Sequence, residues 1–156
     1  MAEDMRETIA NAAKTLLFDK KVRKLTVKDI VEECHITRQT FYYHFEDIPD
    51  LMAWSLRRNF DRVIAQCQAQ KNGEEALRYL LSAAVNARPM LKKGMQSNYG
   101  EELERQLEGL LMGFLSHVAA SRGLYARVSA REAELLLRYH CGGVMFLLRD
   151  WKEQDT

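Results

Sequence analysis

Proline is scarce in this chain, at positions 49 and 89 only, and no stretch of its 156 residues is poor enough in apolar side chains to stay unfolded for want of a core. Glycine never gathers into a phosphate-cradling loop. A nucleophile elbow, a His-Glu-x-x-His pair and clustered Cys/His patterns are missing too, so the residues give catalysis no foothold and point away from an enzyme, a metal site or a cofactor. Cys34, Cys67 and Cys141 stand far apart, without metal-ligand spacing and inside apolar helical patterns, which reads as buried reduced thiols in a reducing compartment. The longest uncharged apolar stretch, residues 141–148, is far short of a membrane span. The N-terminal MAEDMRET is acidic and polar where an export signal is basic and then apolar. The expectation is a cytoplasmic protein with no membrane contact. Excess charge is lacking as well: a net charge of +1 makes no global case for nucleic acid, so any such case rests on local distribution.

What the chain does have is helical periodicity nearly everywhere, with no period-two run long enough for a strand, and the fold class is all-α. Met5, Ile9, Ala12, Ala13, Leu16 and Leu17 form the stripe of a first helix that ends near residues 20–24. Thr26 offers an N-cap with Asp29 three residues on, and Val27, Ile30, Val31 and Cys34 make one apolar face. Thr37 is a second N-cap, opening a short helix with Phe41 and Phe45 inward. Asp47, followed by Pro49 and Asp50, opens a long helix that Asn72-Gly73 closes. The next helix is expected to stop near Arg88, because Pro89 disfavours helical geometry at the residue before it. Gly100 begins another amphipathic helix closing at Arg122-Gly123, and Ser129 caps the last. That final helix is apolar on nearly every side over residues 135–148, which reads as burial all round.

Residues 25–45, LTVKDIVEECHITRQTFYYHF, place two short helices either side of a tight turn, the helix-turn-helix geometry. With Phe41 and Phe45 inward, the second helix is left with Arg38, Gln39, Tyr42 and Tyr43 outside, beside Thr37. Arg grips guanine bidentately, Gln does the same for adenine, and Thr and Tyr hydroxyls reach phosphates. Across residues 20–45, Lys20, Lys21, Arg23, Lys24, Lys28 and Arg38 outnumber Asp29, Glu32 and Glu33, so this segment is basic although the whole is not.

These residues resemble the N-terminal domain of the TetR-type bacterial regulators over about residues 9–56. The marks are Ile9, Ala12, Ala13 and Leu16, then Leu25-Thr26-Val27 and Ile30, then Ile36-Thr37, Thr40-Phe41-Tyr42 and His44-Phe45. The resemblance implies that Thr26, Lys28, Tyr42 and His44 touch backbone phosphates of double-stranded DNA, while Thr37, Arg38, Gln39 and Tyr43 face base edges. Two departures stand out, for the family usually has Gly where this chain has Lys21 and His35. His tolerates the left-handed conformation better than most residues, whereas Lys21 suggests a differently shaped connection.

The organisation implied is a three-helix DNA-binding domain at residues 1–46 and a helical dimerisation and effector domain at residues 47–156. The latter resembles the family in layout only, although the tail GGVMFLLRDW is similar to the closing helix of a Gram-positive subgroup that includes regulators of dihydroxyacetone metabolism. Gly109, Gly113, Phe114, Gly142, Gly143 and Phe146 are the expected homodimer contacts, small residues letting two helices of each subunit form a four-helix interface. Trp54, Tyr79, Met90, Tyr99, His117 and Tyr139 are candidates for a small-molecule or protein effector pocket, with core packing the plainer reading of each. The function that follows is a sequence-specific transcriptional regulator, read as a repressor on an inverted-repeat operator. The alternative is a helical protein-interaction module that retains the fold without operator binding.

Overall fold

A computed structural model describes residues 2–150 and, among them, seven helices and no strand. They are α1 (Ala2–Phe18), α2 (Val27–Cys34), α3 (Arg38–His44), α4 (Ile48–Gln68), α5 (Gly73–Met95), α6 (Gly100–Ser121) and α7 (Ala130–Asp150). Trp151, which ends the tail motif, lies outside the described residues. No described helix is long and apolar enough to cross a membrane. The chain divides into two compact units within α6, between Glu104 and Arg105.

The starts of α2, α3 and α4 are each set by a side chain. Thr26, Thr37 and Asp47, all in extended backbone, accept from the N–H of Asp29, Thr40 and Asp50, three residues on. Each bond satisfies a donor that the first turn would leave open, and its loss costs about 1 kcal/mol. Asn72 behaves the same way toward Glu75. It therefore opens α5 rather than closing α4, which has already ended at Gln68. Ser129 and Glu132 form a reciprocal capping box, the Glu132 carboxylate accepting from the Ser129 N–H and hydroxyl while Ser129 Oγ accepts from the Glu132 N–H. Those bonds from Ser129 hold the Glu132 carboxyl below the usual carboxylate range.

The first unit is built on one apolar core. Ile9, Leu16, Leu25, Ile30, Phe41, Phe45, Ile48 and Leu51 are buried, and Met5, Val22, Trp54 and Tyr99 pack against them. Glu7 on α1 ties to α4 by accepting from Arg58 at 2.7 Å and Arg62 at 2.8 Å. Those hydrogen bonds, Arg62's first, lower its carboxyl pKa.

Three further expectations are corrected. Helix α5 does not stop at Arg88 but runs through Pro89 to Met95. Proline removes a single N–H donor, and the intact turns on both sides carry the helix across it. The cysteines are free, but only Cys141 is buried, while Cys34 and Cys67 are half-exposed. Partial desolvation still raises all three thiol pKa values. Helix α7 is not buried all round: Cys141 and Met145 face inward, whereas Leu135, Leu136, Tyr139, Val144, Phe146 and Leu147 are exposed. Among the described residues, those that flank α7's inward stripe are exposed.

Candidate nucleic-acid interface

Helix α2 ends where His35 takes the left-handed conformation, φ 57° and ψ 41°. The turn is then closed by two backbone bonds, His35 N–H to the Glu32 carbonyl and Ile36 N–H to the Val31 carbonyl at 3.0 Å. Histidine thus does what glycine would do at this place. Thr37 starts α3 directly afterwards, so the angle between the two helices is fixed by one left-handed residue and one cap.

Helix α3 is short, and its two aromatic anchors hold it. Phe41 is fully buried and Phe45 nearly so, their ring centroids 6.0 Å apart, with Trp54 edge-on to Phe45 at 5.8 Å. Arg6 closes the far end: its guanidinium donates to the His44 carbonyl at 3.1 Å and lies 5.3 Å from the Phe45 ring centre. A cation there also complements the negative end of the helix. The sequence signals Arg6 only as one more charge on an amphipathic helix, and its role is missed for that reason.

With the anchors inside, positions 38, 39, 42 and 43 share the opposite face by helical spacing. Arg38 and Gln39 are exposed, as are Tyr42 at 56% and Tyr43 at 83%. Tyr42 leans edge-on against Phe41 and Tyr43 edge-on against His44. The two phenols are therefore propped outward by buried or half-buried rings, with their hydroxyls in solvent. Thr37 is exposed, but its hydroxyl already accepts from the Thr40 N–H and pairs with the Thr40 hydroxyl at 2.9 Å.

Among the residues read as phosphate contacts, Lys28 is exposed and pairs at 3.8 Å with Glu32, a solvent-exposed pair that holds it weakly. Thr26 is half-buried and engaged twice with Asp29, accepting from its N–H and donating to its carboxylate. His44 is half-buried. Six of the eight named residues, Thr37, Arg38, Gln39, Tyr42, Tyr43 and Lys28, thus stand exposed on α2, α3 and their caps, while Thr26 and His44 sit at the margins.

The other sequence-predicted residues are not brought together in this way. Trp54 and Tyr99 belong to the core of the first unit, Tyr79 and Met90 are half-buried on α5, and His117 and Tyr139 are exposed. An open cleft of about 380 Å³ is lined by Leu16, Lys20, Asp29, Glu32, Glu33 and His35, none of them an effector candidate. Gly109, Gly113, Gly142 and Gly143 have open space where a Cβ would stand, Phe114 is half-buried and Phe146 is 62% exposed.

One contact had no signal in the sequence. Asn98, in the α5–α6 turn, accepts from the Leu25 N–H at 2.9 Å and donates to the Leu25 carbonyl at 3.4 Å. It pins the residue just ahead of the α2 cap from 73 positions away.

A three-helix head with an outward Arg-Gln-Tyr-Tyr face defines a class, and comparison agrees with it. Residues 9–53 match the family described as bacterial regulatory proteins, tetR family, so the likeness lies in the three-helix head. Among curated proteins it is similar to the HTH-type dhaKLM operon transcriptional activator DhaS of Lactococcus lactis, with 32% identity over 59 residues. That stretch is 38% of this chain, and it spans 32% of the relative's length.

Proposed function

We propose that the protein is a sequence-specific, DNA-binding transcriptional regulator of the cytoplasm that grips an inverted-repeat operator as a homodimer. The observation that carries this reading is the outer face of α3: four side chains suited to base edges and phosphates, held out from a fully buried Phe41. Arg38, Gln39, Tyr43 and Thr37 take the base edges, Thr37 through its methyl group and whatever capacity its cap leaves. Lys28 and Tyr42 hold the backbone. Thr26 serves mainly as the cap of α2, because its hydroxyl already gives its proton to Asp29, whereas His44 joins Lys28 and Tyr42 as a phosphate contact.

The dimer half of the proposal rests on α7. Leu135, Tyr139, Gly142, Gly143 and Phe146 recur at helical spacing on a face that is exposed among the described residues. A second copy would cover it isologously, with Gly109, Gly113 and Phe114 of α6 beside it, and would set two reading helices about 34 to 36 Å apart in successive major grooves. Effector control is the last part. The α5–α6 turn touches the reading head through Asn98 and Tyr99, so a ligand that shifts α5 reaches Leu25, and a coupling of about 1 to 3 kcal/mol would suffice.

Selection from random duplex DNA, with sedimentation of the same protein, tests the reading. A palindromic site and a dimer at micromolar concentration are the expected results. Gly113→Val should shift the chain toward monomer and weaken the selected site in parallel, since a Cβ at position 113 meets no described atom within 4 Å. Asymmetric sites, or no preferred duplex at all, would overturn it. Transcription in vitro from a template carrying the selected site reads the sign: the resemblance implies repression, whereas the relative DhaS is named an activator.

A further inference from the structure

The connection from α1 to α2 carries Lys20, Lys21, Val22, Arg23 and Lys24, and it is held rather than loose. The Val22 N–H bonds the Leu16 carbonyl at 3.1 Å and its side chain packs on the core. Leu25 is buried, and Asn98 holds both of its backbone groups. Between these pins Lys21 sits at φ 53°, a left-handed conformation in which a long side chain is strained and glycine would be at ease. The strain persists with a charged residue in place.

Of this loop's four cations, three have no acidic partner among the described residues. Lys20 is paired with Glu33, Lys28 with Glu32, and Arg58 and Arg62 with Glu7. Lys21, Arg23 and Lys24 are exposed and enter no ion pair among the described residues. Three unneutralised cations on a braced loop, leading straight into the cap of α2, are complementary to a polyanion. We infer that the α1–α2 loop is a second DNA-backbone contact, in which Lys21, Arg23 and Lys24 bind duplex phosphates outside the bases read by α3. The inference rests on the DNA-binding reading above. It assigns the loop to affinity and register rather than to sequence choice, because ammonium and guanidinium groups on phosphates carry no base information.

The test uses the full chain and a triple variant, Lys21→Gln, Arg23→Gln and Lys24→Gln, which keeps side-chain length and removes charge. Binding to the selected operator and to a random duplex is measured between 50 and 200 mM salt, with thermal unfolding as the check on folding. Affinity should fall about tenfold or more at the lower salt on both DNAs alike. The slope of log affinity against log salt should become shallower by about 0.9 for each phosphate contact removed. The ratio between operator and random duplex should stay that of the wild type. A folded variant with the wild-type slope on DNA that the wild type binds would overturn the loop assignment and leave α3 as the reader. A selective loss on the operator alone would overturn it too, by making the loop a base reader. A wild type that binds no duplex would bring down the DNA-binding reading itself, and the loop with it.

Discussion

The reading head and the last helix are both rich in apolar side chains, yet they meet opposite fates. In the head, Ile9, Ile30 and Phe41 are fully buried, and three capping side chains close the helix starts around them. In α7, Cys141 and Met145 are buried, while Tyr139 is 76% exposed and Phe146 62%. Hydrophobic pattern records which residues gain from burial. It does not record what supplies the cover.

Removing an anchor from each region should break the comparison in different ways. Phe41→Ala leaves a cavity in the head and should cost about 3 to 5 kcal/mol in denaturant unfolding. A cost near zero would mean that the head is not closed on itself. Phe146→Ala should leave the dilute, monomeric chain within about 0.5 kcal/mol of wild type, as exposed substitutions do. In sedimentation at higher concentration it should weaken self-association by about 2 kcal/mol or more, as truncation of an aromatic anchor does. A monomer destabilised by that substitution would show that α7's outer face is covered within its own chain. The smallest effect sharpens the boundary between stability and recognition. Thr37→Ala should cost about 1 kcal/mol of helix capping, while Thr37→Asn keeps the cap. If the asparagine variant is as stable as wild type yet selects a different operator, Thr37 serves both roles; unchanged selection leaves it a cap alone.

Much of the head was legible because its determinants are local. Thr26, Thr37 and Asp47 declare helix starts within three residues of themselves, and Phe41 and Phe45 declare the inner face of α3 by spacing. The turn was legible for the same reason, since His35 can adopt the left-handed conformation that the chain needs there. Where sequence reasoning failed, the deciding interaction was elsewhere. Pro89 argues for a break, but a helix of 23 residues outweighs one missing donor. Asn72 caps forward rather than closing backward, a choice that depends on where α4 has already run out. Arg6 and Asn98 look like ordinary polar surface until folding brings His44 and Leu25 to them.

The Asn98 bridge also bears on how far this head is a portable cassette. Family likeness covers residues 9–53, but the protein's own core extends to Tyr99, and Leu25 depends on a carboxamide at position 98 for both backbone groups. Cutting the gene after the matched stretch would strip the α1–α2 connection of its brace and remove Tyr99 from the packing, although every residue of the helix-turn-helix remained. A chimera that exchanges DNA specificity between regulators would therefore splice beyond Gly100, whose lack of a side chain lets α6 begin against the Met95 carbonyl.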